Sequence, residues 1–349
     1  MHNNDDITQF TIWIGSWNLN NRQISDPPAN LKTWIAPANR QPDIYVIGLQ
    51  ELPDLALSTL FSAPDVDRLS LQYQENIESV FTTLIPEGYS RLIGNEFGAM
   101  AVDVFVKDDK RKYIKEVATR AYGFGVLGGL GQKANEGNKQ TRDSQIDELW
   151  TMMKYADAKG EPFSISGHEH VVLMGDLNYR MQAPSTVMME LLERGQGKLN
   201  SSDISLYDEL SGSQDSGPLS KGFIEMPIEF PPTYKYTPFS DILIFNDRIP
   251  SFTDRILFRP PGPSLRSSSV LRCILYDSAR LCQSSDHKPV MALLEWCIDH
   301  HDADLRHDEE IPECWPVDVG NRAAQAVIQG ATAAVQYSLS SISHFIQGS

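Results

Sequence analysis

The sequence predicts an α/β fold in which strands outnumber helices, followed by a C-terminal appendage, and three observations carry that expectation. Short β-branched and aromatic runs recur from residue 10 to residue 296, the mark of buried strands. Segments of helical spacing fall between them. After about residue 298 the composition turns first charged and then periodic at three and four residues. At 349 residues the chain can bury a substantial core. Length alone does not choose between one large domain with an appendage and two domains.

Residues 10–17 (FTIWIGSW) and 43–49 (DIYVIGL) read as strands, with a brief helix over 31–35 between them. Residues 65–83 carry helical spacing, with Leu69, Leu71, Ile77, Val80 and Phe81 for an inner face. Residues 100–107 (MAVDVFVK) alternate as a strand, and 114–119 is its expected partner. The glycine-rich run 123–133 is a loop. A helix is expected over 142–155, a strand over 171–174, and a helix over 186–194. Further strands are expected at 242–245, 255–258 and 290–296. The core domain then spans 10–298, a charged linker 299–320, and an amphipathic helical or disordered tail 321–347. The tail's stripe of Ala324, Ile328, Ala331, Val335, Leu339, Ile342 and Ile346 suits a protein partner or the domain itself. Its single Arg322 and lack of lysine weaken a membrane-surface reading.

A formal charge of −16 argues against sequence-independent nucleic-acid binding, which needs a field attracting phosphates. The cysteines Cys273, Cys282, Cys297 and Cys314 have neither CxxC spacing nor the density of a disulfide scaffold, so reduced thiols and a cytoplasmic setting are expected. No secretory signal follows Met1, and no apolar run approaches the ~20 residues a bilayer span needs, so any membrane contact would be peripheral.

Five strand-like runs end in polar signatures: Trp17-Asn18, Gln50-Glu51, the GDLN run 175–178, Thr253-Asp254-Arg255 and the SDHK run 285–288. Hydrolysis of a phosphate ester requires water to attack phosphorus while charge on the phosphoryl oxygens is neutralised, which calls for carboxylates on a hard cation and a few converging donors. Glu51, at the end of an apolar strand, is the expected metal ligand, with Asp286 beside it. Asn18 is placed to bind the metal or a phosphate oxygen. Asp176 and Asn178, two apart, share one face, so that Asp176 orients or deprotonates the water and Asn178 holds it in line. Asp254 is expected to accept the second N–H of His287. Arg180, Lys235 and Lys288 supply local positive potential. Singly, Asn18 and Asp254 would be turn or capping residues, Glu51 a solvated strand terminus, Tyr234 a sheet aromatic and Lys235 an edge lysine. Their joint occurrence, each after a strand, favours a metal-assisted phosphate-ester hydrolase.

Six stretches, SWNLN (16–20), PDIYVIGLQEL (42–52), GDLNYR (175–180), GFIEMPIEFPPTYKY (222–236), RIPSFTDRIL (248–257) and SDHKPV (285–290), together closely resemble the inositol polyphosphate 5-phosphatases. The resemblance runs from about residue 10 to 297 and implies a DNase I-like fold, a four-layered α/β sandwich of two packed mixed β-sheets flanked by helices. It further implies Mg2+ as cofactor, the roles already given for Asn18, Glu51, Asp176, Asn178, Asp254, Asp286 and His287, and substrate contacts from Arg180, Tyr234, Lys235 and Lys288. The implied reaction removes the 5-phosphate of a phosphoinositide lipid or a soluble inositol polyphosphate, at a peripheral membrane surface. One departure stands out: the chain runs from Lys133 through Ala134-Asn135-Glu136-Gly137 directly into the 142–155 helix. A segment of about two strands that in the family ends in Ser-His-Leu is not evident near 133–134. His168 and His170, in SGHEH, do not match its context. A catalytically impaired phosphoinositide-binding protein of the same fold is therefore the alternative reading, with a nuclease of that fold a third.

Overall fold

A computed structural model describes residues 7–36, 41–52, 80–97, 99–114, 117, 139–156, 162–211, 216–245, 248–261 and 269–299. The central element is a six-stranded mixed sheet in the order β3-β4-β2-β1-β10-β9. Its strands are β1 (Ile7–Asn18), β2 (Ile44–Gln50), β3 (Tyr89–Phe97), β4 (Met100–Lys107), β9 (Ser269–Ser278) and β10 (Val290–Asp299). Two hairpin-like pairs complete the strand set: β5 (Lys154–Ala156) with β6 (Pro162–Ser164), and β7 (Val171–Asp176) with β8 (Asp254–Arg259). The helices are α1 (Pro28–Ile35), α2 (Lys139–Met152), α3 (Ser185–Arg194) and α4 (Ser201–Tyr207).

Strand periodicity explains the layering. Alternate residues of β1, β2, β4 and β10 point to opposite faces, so Phe10, Ile12, Ile14, Ile44, Val46, Val102, Val104, Ala292 and Leu294 enter one core. Trp13, Trp17, Tyr45, Ile47, Leu49, Phe105, Met291 and Leu293 enter another. The first core is closed by Ile256 and Phe258 of β8 and by Met188, Leu191 and Leu192 of α3. The second is closed by Leu31, Trp34 and Ile35 of α1. On the far side of the β7–β8 pair, Leu173 and Leu257 pack on Ile146 and Leu149 of α2. Helix, large sheet, small sheet and helix are thus the four layers the sequence resemblance implies. The two sheets approach closely at Gly48, where a Cβ would lie 2.7 Å from the Met174 Cε methyl and the Met174 side chain would have to shift.

Several expectations are corrected. Strand β4 is bonded on both sides, to β2 and β3, and of its expected partner 114–119 only residues 114 and 117 lie within the described residues. The partner β3 was not expected, since Gly94, Asn95 and a register irregularity between Arg91 and Ile93 break its alternation. Likewise β9, with its polar Arg272 and Asp277, escapes the pattern. Residues 242–245 make a single bridge, Tyr236 to Leu243, rather than a strand, with Ile242 66% exposed. Short α4, capped by the Asn200 side chain accepting from Asp203 N at 2.8 Å, was also not anticipated. Only the end of the 65–83 helix, residues 80–84, lies within the described residues. The glycine-rich run, the segment around 133–134 and the 300–349 linker and tail lie outside them.

Two consequences are measurable. Trp34 is fully buried and donates from Nε1 to Val290 O at 3.1 Å, so Trp34→Ala is expected to lower the unfolding free energy by about 3–5 kcal/mol in urea titrations. Burial, aided by Arg259, lowers the His170 pKa to about 4, below its unfolded value. Because the unfolded chain then binds the extra proton first, stability falls as pH drops from about 6.5 toward 4, by up to about 3 kcal/mol. In His170→Gln, acid unfolding over that window is expected to be shallower than in the wild type.

Candidate active site

Topology collects the polar strand ends on one rim. Parallel pairing of β1 with β2, Ile12 opposite Ile44 through Asn18 opposite Gln50, makes Asn18 and Glu51 emerge together. Antiparallel β10 begins at Val290 opposite Ser16, so residues 285–289 enter from the same rim. In the smaller sheet Asp176, last in β7, sits opposite Asp254, first in β8. Five strand termini, none adjacent in sequence to all the others, therefore converge.

At the centre, Asn18 Nδ2 donates to Glu51 Oε1 at 3.1 Å and to Asp176 Oδ2 at 2.9 Å, bridging two carboxylates. Its own Oδ1 accepts from Asn20 N at 2.8 Å. Glu51 and Asn178 both have left-handed backbone, φ 50° and 60°, a conformation that swings each side chain off the end of its strand. Asp176 Oδ1 accepts from Asn178 N at 3.0 Å, and Asn178 Oδ1 accepts from Arg180. Burial, with Asp254 adding to it, raises the Asp176 pKa to about 6 against the opposing pull of His287, Arg180 and Asn18. A carboxylate so poised is ionised at neutral pH yet basic enough to take a proton.

The imidazole of His287 is fixed from several directions. Its Nδ1 lies 2.9 Å from Asp254 Oδ2, and the same oxygen accepts from Thr233 Oγ1 at 2.7 Å and Thr253 Oγ1 at 2.8 Å. Its backbone N–H donates to Ser285 Oγ at 3.1 Å, and its carbonyl accepts from Trp17 Nε1 at 3.0 Å. The Tyr234 ring stacks on it with centroids 4.4 Å apart, and the Arg180 guanidinium lies 4.7 Å from the Tyr234 centroid. Burial opposes the charged imidazolium, but Asp254, Asp176 and Asp286 outweigh it and push the pKa up to about 9. His287 is accordingly an imidazolium at neutral pH, with Nε2 4.0 Å from Asp286 Oδ1.

Lys235 reaches Asp286 Oδ2 at 3.5 Å and remains partly exposed. Lys288 is placed differently. Its fully buried ammonium donates to Ser240 O and Arg280 O at 3.0 Å and to Cys282 O at 3.3 Å, and lies 4.6 Å from the Tyr236 centroid. Thus the structure brings together Asn18, Glu51, Asp176, Asn178, Arg180, Tyr234, Lys235, Asp254, Asp286 and His287, while the charge of Lys288 faces backbone carbonyls of residues 240, 280 and 282 and the Asp241 carboxylate at 3.7 Å. Trp17, Thr233, Thr253 and Ser285 stand inside the WN, PTYKY, TDR and SDH motifs, but sequence reasoning gave none of them a role of its own. His168 and His170 lie elsewhere, on Ser164 and Ile165 carbonyls and on Ser269 Oγ, respectively.

The donor set fits a hard divalent cation. Asp254 Oδ1 and Asp286 Oδ1 are buried and accept no hydrogen bond, and Asp176, Asp254 and His287 each offer a ligand atom within 4.8 Å of the others. Carboxylates crowded this way repel unless positive charge stands between them. The two metal ligands expected from the sequence border this cluster, Glu51 through the Asn18 amide it shares with Asp176, and Asp286 4.0 Å from His287 Nε2 and 3.5 Å from Lys235.

Fold and site together define a phosphoesterase-type α/β sandwich. The chain belongs to the endonuclease/exonuclease/phosphatase family 2, which matches residues 15–139 and 133–293. It is 28% identical over 312 residues to a polyphosphatidylinositol phosphatase of Saccharomyces cerevisiae, covering 82% of this chain and 26% of that protein. It is 26% identical to type I inositol polyphosphate 5-phosphatase 8 of Arabidopsis thaliana, covering 84% of this chain and 72% of that one. The chain thus spans about a quarter of the yeast relative's length. In three dimensions it superposes on the inositol polyphosphate 5-phosphatase domain of SPsynaptojanin, solved with inositol (1,4)-bisphosphate and calcium ion. That match has TM-score 0.64 and 26% identity over 84% of this chain and 87% of that one.

Replacing Asp254 by Asn removes the anionic acceptor from Nδ1–H. The wild-type Nδ1 proton is expected downfield in the proton NMR spectrum and to move upfield in Asp254→Asn, with the fold retained by circular dichroism.

Proposed function

We propose that this protein is a magnesium-dependent phosphoric monoester hydrolase that removes the 5-phosphate from a phosphoinositide lipid or soluble inositol polyphosphate. One observation supports it above the rest: a base-competent Asp176 and an imidazolium His287 share one cluster with the buried carboxylates of Asp254 and Asp286. Magnesium held by Glu51 and Asp286 would supply neutralisation of phosphoryl charge, a role that all-oxygen donors suit.

The remaining work falls to side chains. Asp176 accepts the proton of the attacking water, and Asn178, locked to it through the Asn178 N–Asp176 bond, orients that water. His287 directs Nε2–H at a phosphoryl oxygen, its charge maintained by Asp254. Arg180 and Lys235 lie against the Tyr234 ring, which packs on His287, and the three are the proposed contacts for a second ring phosphate. Lys288 enters as a support for the loop rather than as a phosphate donor.

A lipid surface is the proposed setting, on the cytoplasmic side. Phe239 (62% exposed), Ile242 and Leu281 (52%) stand on segments tied to the site, through Phe239 N to Gln283 O at 2.6 Å and Ile244 N to Lys235 O at 2.8 Å. Exposed apolar side chains beside a lipid-headgroup pocket favour peripheral contact. No helix among the described residues is long and apolar enough to cross a membrane. A protein partner for the 321–347 tail belongs to the same proposal.

Phosphate release from vesicles carrying a 5-phosphorylated phosphoinositide, with magnesium, is the test. Asp176→Asn is expected to reduce it by about 10²–10⁴-fold. Lipid binding without any Asp176-dependent release would reject the enzyme and leave a binding protein of this fold.

A further inference from the structure

The loop that delivers Asp286 and His287 is gripped from two sides by charges that belong to neither catalysis nor metal binding. From the β1–α1 connection, Asp26 takes Gln283 N on Oδ1 at 2.5 Å and Ser284 N on Oδ2 at 3.1 Å. The Ser284 hydroxyl also donates to Oδ2, and in turn accepts from Ser25 N at 2.9 Å. From inside the loop, Lys288 holds the carbonyls of Arg280 and Cys282. A carboxylate therefore collects the amides of residues 283–284, and an ammonium collects the carbonyls of 280 and 282. Between these clamps the chain turns through Ser285, whose hydroxyl donates to Asn18 O at 2.7 Å, and arrives at Asp286 and His287.

We infer that Asp26 is a positioning residue for Asp286 and His287, acting with Lys288 to set the height of the 283–287 loop over the rim. Charge-assisted bonds to backbone are stronger and shorter than neutral ones, so this pair of clamps restrains the loop more tightly than a serine-lined turn would. Displacement of a reacting group by about 1 Å can cost on the order of 100-fold in rate. Asp26 touches none of the groups in the pocket, so its loss acts only through the loop.

The inference rests on the proposed phosphatase reading for its kinetic test and on the fold alone for its structural one. Asp26→Asn, which removes the charge and turns one of the two acceptor oxygens into a donor facing the N–H of Gln283 or of Ser284, is compared with Asp43→Asn. Asp43 is a similar clamp far from the rim, accepting from Thr11 N at 2.8 Å and Thr11 Oγ1 at 3.0 Å. Asp26→Asn is expected to lower kcat by about 10–100-fold with KM within about 2-fold, while Asp43→Asn leaves kcat within about 2-fold at a comparable loss of melting temperature. Asp26→Glu, which restores the charge, is expected to recover part of the rate. Equal kcat losses in Asp26→Asn and Asp43→Asn, or none in either, would overturn the inference. Should the wild type release no phosphate, amide hydrogen exchange decides: faster exchange at 283–287 in Asp26→Asn with β10 unchanged supports it, and unchanged exchange at 283–287 overturns it.

Discussion

Parallel pairing of β1 with β2 is the constraint on which the site depends. Parallel strands place both C-termini at one edge, and this pair lies at the middle of the six-stranded sheet, so the edge is a rim of the core. Antiparallel β10 then has to begin where β1 ends, and the 285–288 run has nowhere to go but that rim. A one-residue slip in β1 would exchange the Phe10–Ile12–Ile14 face with the Trp13–Trp17 face. The two hydrophobic cores thus lock the register that holds Asn18 against Glu51 and Asp176.

What that rim assembles is electrostatically expensive. Asp176, Asp254 and Asp286 are almost entirely withdrawn from water, and desolvation of ionised carboxylates costs several kcal/mol each unless partners offset it. Asp254 is offset by two hydroxyls and an imidazolium, all on one oxygen. Asp286 has Lys235 at 3.5 Å. Burial, with Asp254 adding to it, raises the Asp176 pKa, while that of His287 rises because Asp254, Asp176 and Asp286 surround it. The pair is separated in favour of an ionised base beside a charged acid, the arrangement that acid–base chemistry at neutral pH requires.

Much of this was legible in the sequence, for a physical reason. Apolar strand runs that stop abruptly at Asn18, Glu51 and Asp176 announce both the strand and its mouth, because only a strand end can present a carboxylate beside a dry core. Helices α1 and α3 and strands β1, β2, β4, β7, β8 and β10 follow from periodicity alone. The supports were less legible. Thr233 and Asp26 act by long-range contact and Thr253 on its own sequence neighbour, and nothing in local pattern distinguishes a hydroxyl aimed at Asp254 from one aimed at water. Lys288 shows the limit from the other side. Proximity to Asp286 and His287 in sequence suggested an outward cation, yet its side chain is buried, where backbone carbonyls, the Asp241 carboxylate and Tyr236 receive it.

Strand alternation governs β8. Asp254 and Arg255 are consecutive and both buried, so they point to opposite faces, one to His287 and the other into a closed ionic cluster. Arg255 donates to Asp208 at 3.1 Å, to Glu225 at 2.5 Å and to Phe252 O at 3.1 Å, while Tyr276 OH donates to Glu225 at 2.7 Å. Such a cluster contributes little net stability compared with an apolar filling of equal volume, but removing one member leaves a bare buried charge, typically at a cost of about 3–5 kcal/mol. Its value here is therefore directional. With α4, the 225 segment, β8 and β9 all joined at Arg255, β8 has one permitted register, and that register holds the Asp254 carboxylate on the imidazole of His287.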